Sequence, residues 1–266
     1  HPAELVNPAV QTTGTLRDAA LAEIRKAVIG QDEPLELMLC ALIAGGHVLL
    51  EGVPGVAKTL MARALARTVS SEFKRIQFTP DLMPTDILGT SIFDLKTQSF
   101  VLVRGPIFTD LLLADEINRS PAKTQSALLE AMQERSVSLE GKNLSLSPIF
   151  TVFATQNPIE SEGTYPLPEA QLDRFMFNIV MSYLSEDDEV RVVMQTTAAE
   201  AERPERTLDG ADILEFQHLV RQVIVSEEVA RYAVRLVDAS RPGRSNTPEF
   251  VRQCVKWGAG LRASQS

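Results

Sequence analysis

The sequence predicts an α/β fold, a mostly parallel sheet covered by helices on both faces, followed by a small all-helical domain. Three observations lead there. Short apolar runs alternate with helix-period patterns from residue 47 to residue 183, as βαβ units do. Several runs, such as Leu111 to Ala114, are apolar throughout, as strands buried on both faces are. Beyond Leu208 only helical periodicity remains.

The elements follow in order. A first helix is expected from Thr15, with Asp18 completing a weak capping box, Leu16, Ala20, Ile24 and Ala27 as its apolar stripe, and Gly30 ending it. A second runs from about Glu33 to Ala44 with Pro34 in its first turn. His47 to Leu50 reads as a buried strand, Lys58 to Val69 as a helix, and Phe73 to Phe78 and Leu111 to Ala114 as strands. Ser120 is the expected N-cap and Pro121 the first residue of a helix reaching Glu134. Ile149 to Ala154 is a strand, Glu169 to Arg174 a short helix, and Met176 to Tyr183 the last strand. Two hairpins interrupt the pattern. Ser91 to Leu95 and Phe100 to Val103 flank the turn Lys96 to Ser99, and Val137 to Glu140 and Leu144 to Leu146 flank Gly141-Lys142-Asn143. The acidic, alanine-rich stretch Ser185 to Glu205 predicts one helix and then a linker. Ser226 caps a helix with Glu227 and Glu228 in its first turn and Val229, Tyr232, Ala233 and Leu236 on one face. The expected division is an α/β core over residues 1–195, a linker at 196–207 and a helical domain at 208–266, which ends inside a helical pattern and looks truncated.

Bulk properties narrow the function. Hydrophobic residues at 44% and charged residues at 23% match a packed globular protein. A net charge of -9 argues against a general nucleic-acid or anionic-membrane binder. Cys40 and Cys254 form no Cys-x-x-Cys pair and fit buried thiols in a reducing compartment. The longest apolar run, Leu37 to Leu50, is too short to span a bilayer, and no secretion signal opens the chain. The expectation is a cytoplasmic protein.

The chemistry concentrates in four segments. Gly52-Val53-Pro54-Gly55-Val56-Ala57-Lys58-Thr59 follows a strand and opens a helix, the context of a P-loop. Its backbone N–H groups can wrap phosphates, Lys58 can neutralise their charge, and Thr59 can ligate Mg²⁺. Leu60 is counted with this nucleotide-contacting loop. The strict pattern has glycine where Ala57 stands, a replacement that is comfortable if φ there is negative. Asp115 and Glu116 end an apolar strand; Asp115 can hold a water on Mg²⁺, and Glu116 can act as general base on the attacking water. Asn157 follows the next strand. Its amide can orient that water, although an asparagine before Pro158 is also an ordinary turn residue. Arg174 precedes the last strand and is either a surface ion-pair residue or an arginine finger for a neighbouring subunit; Arg119 and Arg135 are rivals for that role. His47 sits in an apolar strand and reads as a core histidine, while His1 and His218 suggest no metal site.

Together these motifs resemble the MoxR family of AAA+ ATPases over about Val28 to Arg262. The resemblance rests on the P-loop with its alanine, on Phe78 to Gly89, Ala114 to Arg119 and Ala154 to Pro158, and on Tyr165 to Phe175. It implies a five-stranded sheet in the order 5-1-4-3-2 and a helical lid. It makes Asn157 a sensor-1 residue and Ile29-Gly30-Gln31 the adenine-side segment. Arg262 becomes a sensor-2 residue in a segment with Gly260-Leu261 where the family usually has Ser-Pro. The two hairpins match the family's helix-2 insert and pre-sensor-1 insert. The implied function is an ATP- and Mg²⁺-dependent, chaperone-like remodelling ATPase. It would work as a homo-oligomer, a hexameric ring, on protein clients with a partner carrying a von Willebrand A domain. The rival readings are a magnesium-chelatase-like motor subunit and a nucleotide-gated scaffold with little turnover.

Overall fold

The computed structural model describes residues 8–53, 55–158, 163–196, 204–244 and 247–265. In chain order it runs α1 (Pro8–Ala27), α2 (Asp32–Ala44), β1 (Val48–Glu51), α3 (Lys58–Thr68), β2 (Phe73–Gln77) and α4 (Pro84–Leu88). Next come the hairpin β3 (Gly89–Asp94) and β4 (Ser99–Arg104), then β5 (Leu111–Asp115), α5 (Ala122–Glu134), and the hairpin β6 (Ser136–Leu139) and β7 (Lys142–Ser145). The chain continues through β8 (Thr151–Gln156), α6 (Glu169–Leu172), β9 (Phe177–Val180), α7 (Glu186–Thr196), α8 (Gly210–Gln222), α9 (Glu227–Ala239), α10 (Glu249–Cys254) and α11 (Arg262–Gln265).

The main sheet is parallel, in the order β2-β5-β8-β1-β9. Counting only its own strands and reading from the β9 edge, this is the expected 5-1-4-3-2. Alternate residues along each strand enter two cores, as the period of two requires. Val48, Leu50, Leu111, Leu113 and Phe153 face α1, α2, α3 and α8. Leu49, Leu112, Ala114, Val152 and Ala154 face α5 and Ile87 of α4.

Several local expectations are corrected. α1 is already helical at Pro8, so Thr15 is no cap; its hydroxyl donates to Gln11 O in the preceding turn at 3.1 Å. Pro121, not Ser120, occupies the N-cap of α5; the Ser120 hydroxyl turns back to Ile117 O instead. The second hairpin turns at Glu140-Gly141, both with positive φ, so Lys142 and Asn143 belong to β7. α4 has no forecast in the sequence. It leads into Gly89, where φ is +102° and a Cβ would lie 2.3 Å from Val103 O, so only glycine lets the hairpin leave there.

The linker forecast at 196–207 falls largely on 197–203, outside the described residues. The chain then returns with Thr207 and Leu208 N–H groups both donating to Thr68 O. Asp209 caps α8, accepting from Ala211 and Asp212 N–H. Leu208, Ile213 and Phe216 join the first core, so α8 is packed onto the α/β unit. α9 differs: its apolar residues Val229, Tyr232 and Leu236 are exposed. Among the described residues, no helix is long and apolar enough to cross a membrane.

His47 lies just ahead of β1 and is buried. Its Nδ1 accepts from Val152 N at 3.0 Å and its Nε2 lies 3.3 Å from Met132 O, the pattern of a neutral core imidazole. Burial, reinforced by the Arg135 charge, pushes its pKa down to about 4. A depressed pKa stabilises the fold above the unfolded value near 6.5, and that stability drains away as pH falls toward 4. The gap predicts a loss of roughly 3 kcal/mol across this window. Urea titrations at stepped pH should show the slope, and His47→Gln should flatten it while being less stable at pH 7. An unchanged slope in the variant would assign the effect elsewhere.

Candidate functional site

The parallel order places the C-terminal ends of β1, β5 and β8 side by side. Whatever follows these strands converges on one edge of the sheet. Gly55, Ala57, Lys58, Thr59 and Leu60 after β1, Asp115 and Glu116 at the end of β5, and Asn157 after β8 line one cavity of about 380 Å³. The sequence-predicted residues therefore meet.

The loop is anchored at one end and open at the other. Gly52 N–H donates to Gln156 O, and Gly52 packs so closely on Met181 that a Cβ would lie 3.0 Å away. Val56 is buried and Val53 packs against the first core. Pro54 lies outside the described residues. Gly55, at φ +89°, faces open space, so its need is conformational. Ala57 has φ +61°, not the negative angle that would make alanine comfortable there. A left-handed alanine costs on the order of 1 kcal/mol, and it lets the chain turn sharply into α3. The Lys58 ammonium donates to Gly52 O at 2.6 Å and lies 3.5 Å from Gln156 O. Burial pushes its pKa down, and Asp115 and Glu116 push it back up.

The carboxylates are held differently. Asp115 is buried; its Oδ1 accepts from the Thr155 hydroxyl at 2.6 Å, and its Oδ2 accepts from Arg75 Nη2 at 2.6 Å. Glu116 takes a left-handed backbone, φ 56°, which swings its side chain out of strand alignment. Its N–H donates to the same Thr155 Oγ1 at 2.8 Å, while its Oε2 accepts from Gln77 Nε2 at 2.8 Å and lies 3.4 Å from Arg119 Nε. Asn157 is buried, and its carbonyl accepts from Asn118 Nδ2 at 3.4 Å. Arg75, Gln77, Asn118 and Thr155 touch the candidate residues and were missed by sequence reasoning. The available signal was polar alternation in Arg75-Ile76-Gln77, beside the apolar run of β5.

Thr59 and Asp115 supply hard oxygen donors on the same cavity, so the donor set fits Mg²⁺. The glycine-opened loop and Lys58 fit a polyphosphate. Ile29, Gly30 and Gln31 lie at the α1–α2 junction and do not line this cavity; Gly30 sits against Leu184 and Asp188, where a Cβ would lie 2.8 Å from both.

The arginines are elsewhere. Arg174 and Arg262 line a second cavity, about 340 Å³, with His47, Arg135 and Asp173. His47 precedes β1 and Gly52 follows it, so strand rise alone separates the two cavities by about 16 Å. Arg262 Nε lies 4.0 Å from Asp173 Oδ2. Arg174 pairs with no carboxylate among the described residues. Of its rivals, Arg135 spends its guanidinium on the carbonyls of Gly45, Pro148 and Phe150, and Arg119 is drawn to Glu116 in its own site.

Residues 47–177 match the model of the ATPase family associated with various cellular activities (AAA). The chain is similar to Chaperone MoxR1 of Mycobacterium tuberculosis, at 47% identity over 93% of this chain and 65% of that protein. It is also similar to the protein YeaC of Bacillus subtilis, at 48% over 84% and 70%. A crystal structure from Cytophaga hutchinsonii superposes with a TM-score of 0.87 at 41% identity, over 97% of this chain and 79% of that one. The chain thus spans about two thirds of the length of these two curated relatives.

Thr155 is fully buried and joins both carboxylate residues. Thr155→Val keeps the shape and strands two polar partners, so it should lower stability by about 2 kcal/mol, read from urea unfolding. Thr155→Ser should recover most of it. A valine variant as stable as the parent would mean that water replaces the hydroxyl.

Proposed function

The chain belongs to the MoxR family of AAA+ ATPases, and from that premise we propose that it binds ATP with Mg²⁺ and hydrolyses it as one subunit of a ring. The observation that carries this is the division of side chains between two cavities. Lys58, Thr59, Asp115, Glu116 and Asn157 share one, while Arg174 and Arg262 share another at the far end of β1.

In this reading the loop N–H groups and Lys58 bind the phosphates, with Ile29, Gly30 and Gln31 on the adenine side. Thr59 and Asp115 would hold Mg²⁺, which when bound neutralises phosphate charge. Glu116 takes the proton from the attacking water, and Asn157 orients that water. Arg174 is offered to a neighbour's nucleotide as the arginine finger, with Arg262 beside it, so each site is completed by the next subunit. The helices after Leu208 serve as the lid. A chaperone-like remodelling role is supported by a relative named as a chaperone and by the exposed apolar hairpin β3–β4, where Phe93 and Phe100 stack edge to face at 5.3 Å. A hexameric ring, a protein client, a partner with a von Willebrand A domain and a cytoplasmic setting complete the proposal.

Two measurements test it. Glu116→Gln should keep ATP binding, followed with a fluorescent analogue, while turnover falls roughly a hundredfold or more. If the parent itself turns over no faster than buffer, the scaffold reading takes its place.

Assembly is tested separately. Turnover per subunit should rise with protein concentration, and Arg174→Ala should flatten that rise with ATP affinity nearly intact. Lys58→Ala should abolish tight ATP binding. Mixing it with Arg174→Ala should restore some turnover, since each lacks a different half of the shared site. Mixed rings that form and stay inactive would remove Arg174 from the interface.

A further inference from the structure

Gln125 lies near the start of α5 and is almost wholly buried. Its Nε2 stands within hydrogen-bond reach of three backbone carbonyls, Ile117 O and Ser120 O at 3.1 Å each and Tyr165 O at 2.8 Å. An oxygen in that place would face three acceptors, so the amide has one allowed orientation. Its Oε1 is buried and has no hydrogen-bond partner among the described residues. The side chain thus gives up stability at one atom to join three carbonyls at the other.

Those carbonyls belong to two segments with different tasks. Ile117 and Ser120 bracket the short turn that follows Glu116. Tyr165 begins the segment that leads to Arg174. Both backbone groups of Tyr165 are taken from the Glu116 side: its N–H donates to Asn118 O at 2.6 Å, and its carbonyl accepts from Gln125. From there the chain has little freedom. Pro166 and Pro168 fix their own φ, Leu167 and Phe175 are buried in the second core, and Pro168 leads directly into α6. Arg174 N–H then donates to Gln171 O at 3.2 Å. The far end of α5 lines the Arg174 cavity through Met132 and Gln133. One helix, about 20 Å long at helical rise, therefore runs from the turn after Glu116 to the cavity that holds Arg174.

We propose that Gln125 is a positioning residue that ties the turn after Glu116 to the segment carrying Arg174, so that a subunit's own base and the arginine it offers its neighbour are held in one fixed relation. The proposal rests on the reading of Arg174 given above. Without the Gln125 amide the Tyr165 carbonyl loses its donor, and the segment is released at one of its two ties to the turn. A displacement of about 1 Å in a group that acts on the transition state costs up to about a hundredfold in rate. The neighbour's grip on ATP stays as it was, because the arginine acts on charge that develops during phosphoryl transfer.

The test isolates the donor half of the shared site. Arg174→Ala subunits supply intact nucleotide sites, and Lys58→Ala subunits supply intact arginines. Gln125→Met keeps the length of the side chain and removes its N–H donors. Using Lys58→Ala/Gln125→Met as the donor should lower kcat of the mixture roughly tenfold, with KM for ATP unchanged. A residue that served only its own subunit's site or core would leave the donor as effective as Lys58→Ala. Equal turnover in rings shown to contain both subunits therefore overturns the proposal, as does a rise in KM with kcat unaltered. If the double variant does not fold by circular dichroism or does not enter rings, Lys58→Ala/Pro166→Gly/Pro168→Gly carries the test. Both prolines are exposed, and their replacement softens the segment that Gln125 steers. With that donor kcat should fall about threefold, the scale of added glycine freedom; no fall overturns the proposal equally. Inactivity of the original Lys58→Ala and Arg174→Ala mixture in rings that form would instead remove the Arg174 reading, and the proposal with it.

Discussion

The Thr155 hydroxyl is the joint on which the geometry of the site depends. It donates to Asp115 and accepts from the Glu116 backbone, across the β5–β8 pair and without any contact with solvent. One hydroxyl therefore sets two consecutive carboxylates into different postures. Asp115 stays in line with its strand, buried, with one oxygen on the Thr155 hydroxyl and the other on Arg75. Glu116 is turned out by a left-handed backbone into reach of Gln77 and Arg119. Two adjacent acids with the same chemistry can take different tasks only if their surroundings differ this much.

Of the six non-glycine residues with positive φ among the described residues, two, Ala57 and Glu116, line the first cavity. Ala57, Glu116 and Arg135 are non-glycine residues with positive φ at the loop, after β5 and after α5. Each costs on the order of 1 kcal/mol or more and persists only where surrounding contacts over-determine it. For Arg135 those contacts are three backbone carbonyls. For Glu116 they are Thr155 and Gln77. For Ala57 the constraint is Lys58, drawn back to Gly52 O at the base of the same loop.

What was legible in the sequence is what depends on neighbours along the chain. The P-loop, the acidic strand end and Asn157 are local patterns, and the strand–helix alternation that positions them is local too. The main sheet's strand order came from the family resemblance rather than from periodicity. What was hidden is lateral. Arg75 reaches Asp115 across 40 positions, and Thr155 reaches it across another 40; both pairings are set by strand register, which one sequence does not display. The conformational misses have the same root. Ser120 looks like a cap until the short turn at Ile117–Arg119 claims its hydroxyl. Ala57 looks benign until its φ is known.

A parallel sheet has two unlike ends, and this chain uses both. The ends of β1, β5 and β8 carry the phosphate loop, the carboxylates and Asn157. The opposite end, before β1 and β9, carries Arg174, Arg262 and the buried His47. The arginines thus lie about a strand's length from the loop of their own molecule. Along the sheet edge, Arg75 and Gln77 link Asp115 to Glu116 through three hydrogen bonds. Arg75 and Gln77 stand beside the carboxylates, and Arg174 and Arg262 stand at the other end of the strands. That separation follows from strand direction and from which residues stand at each end.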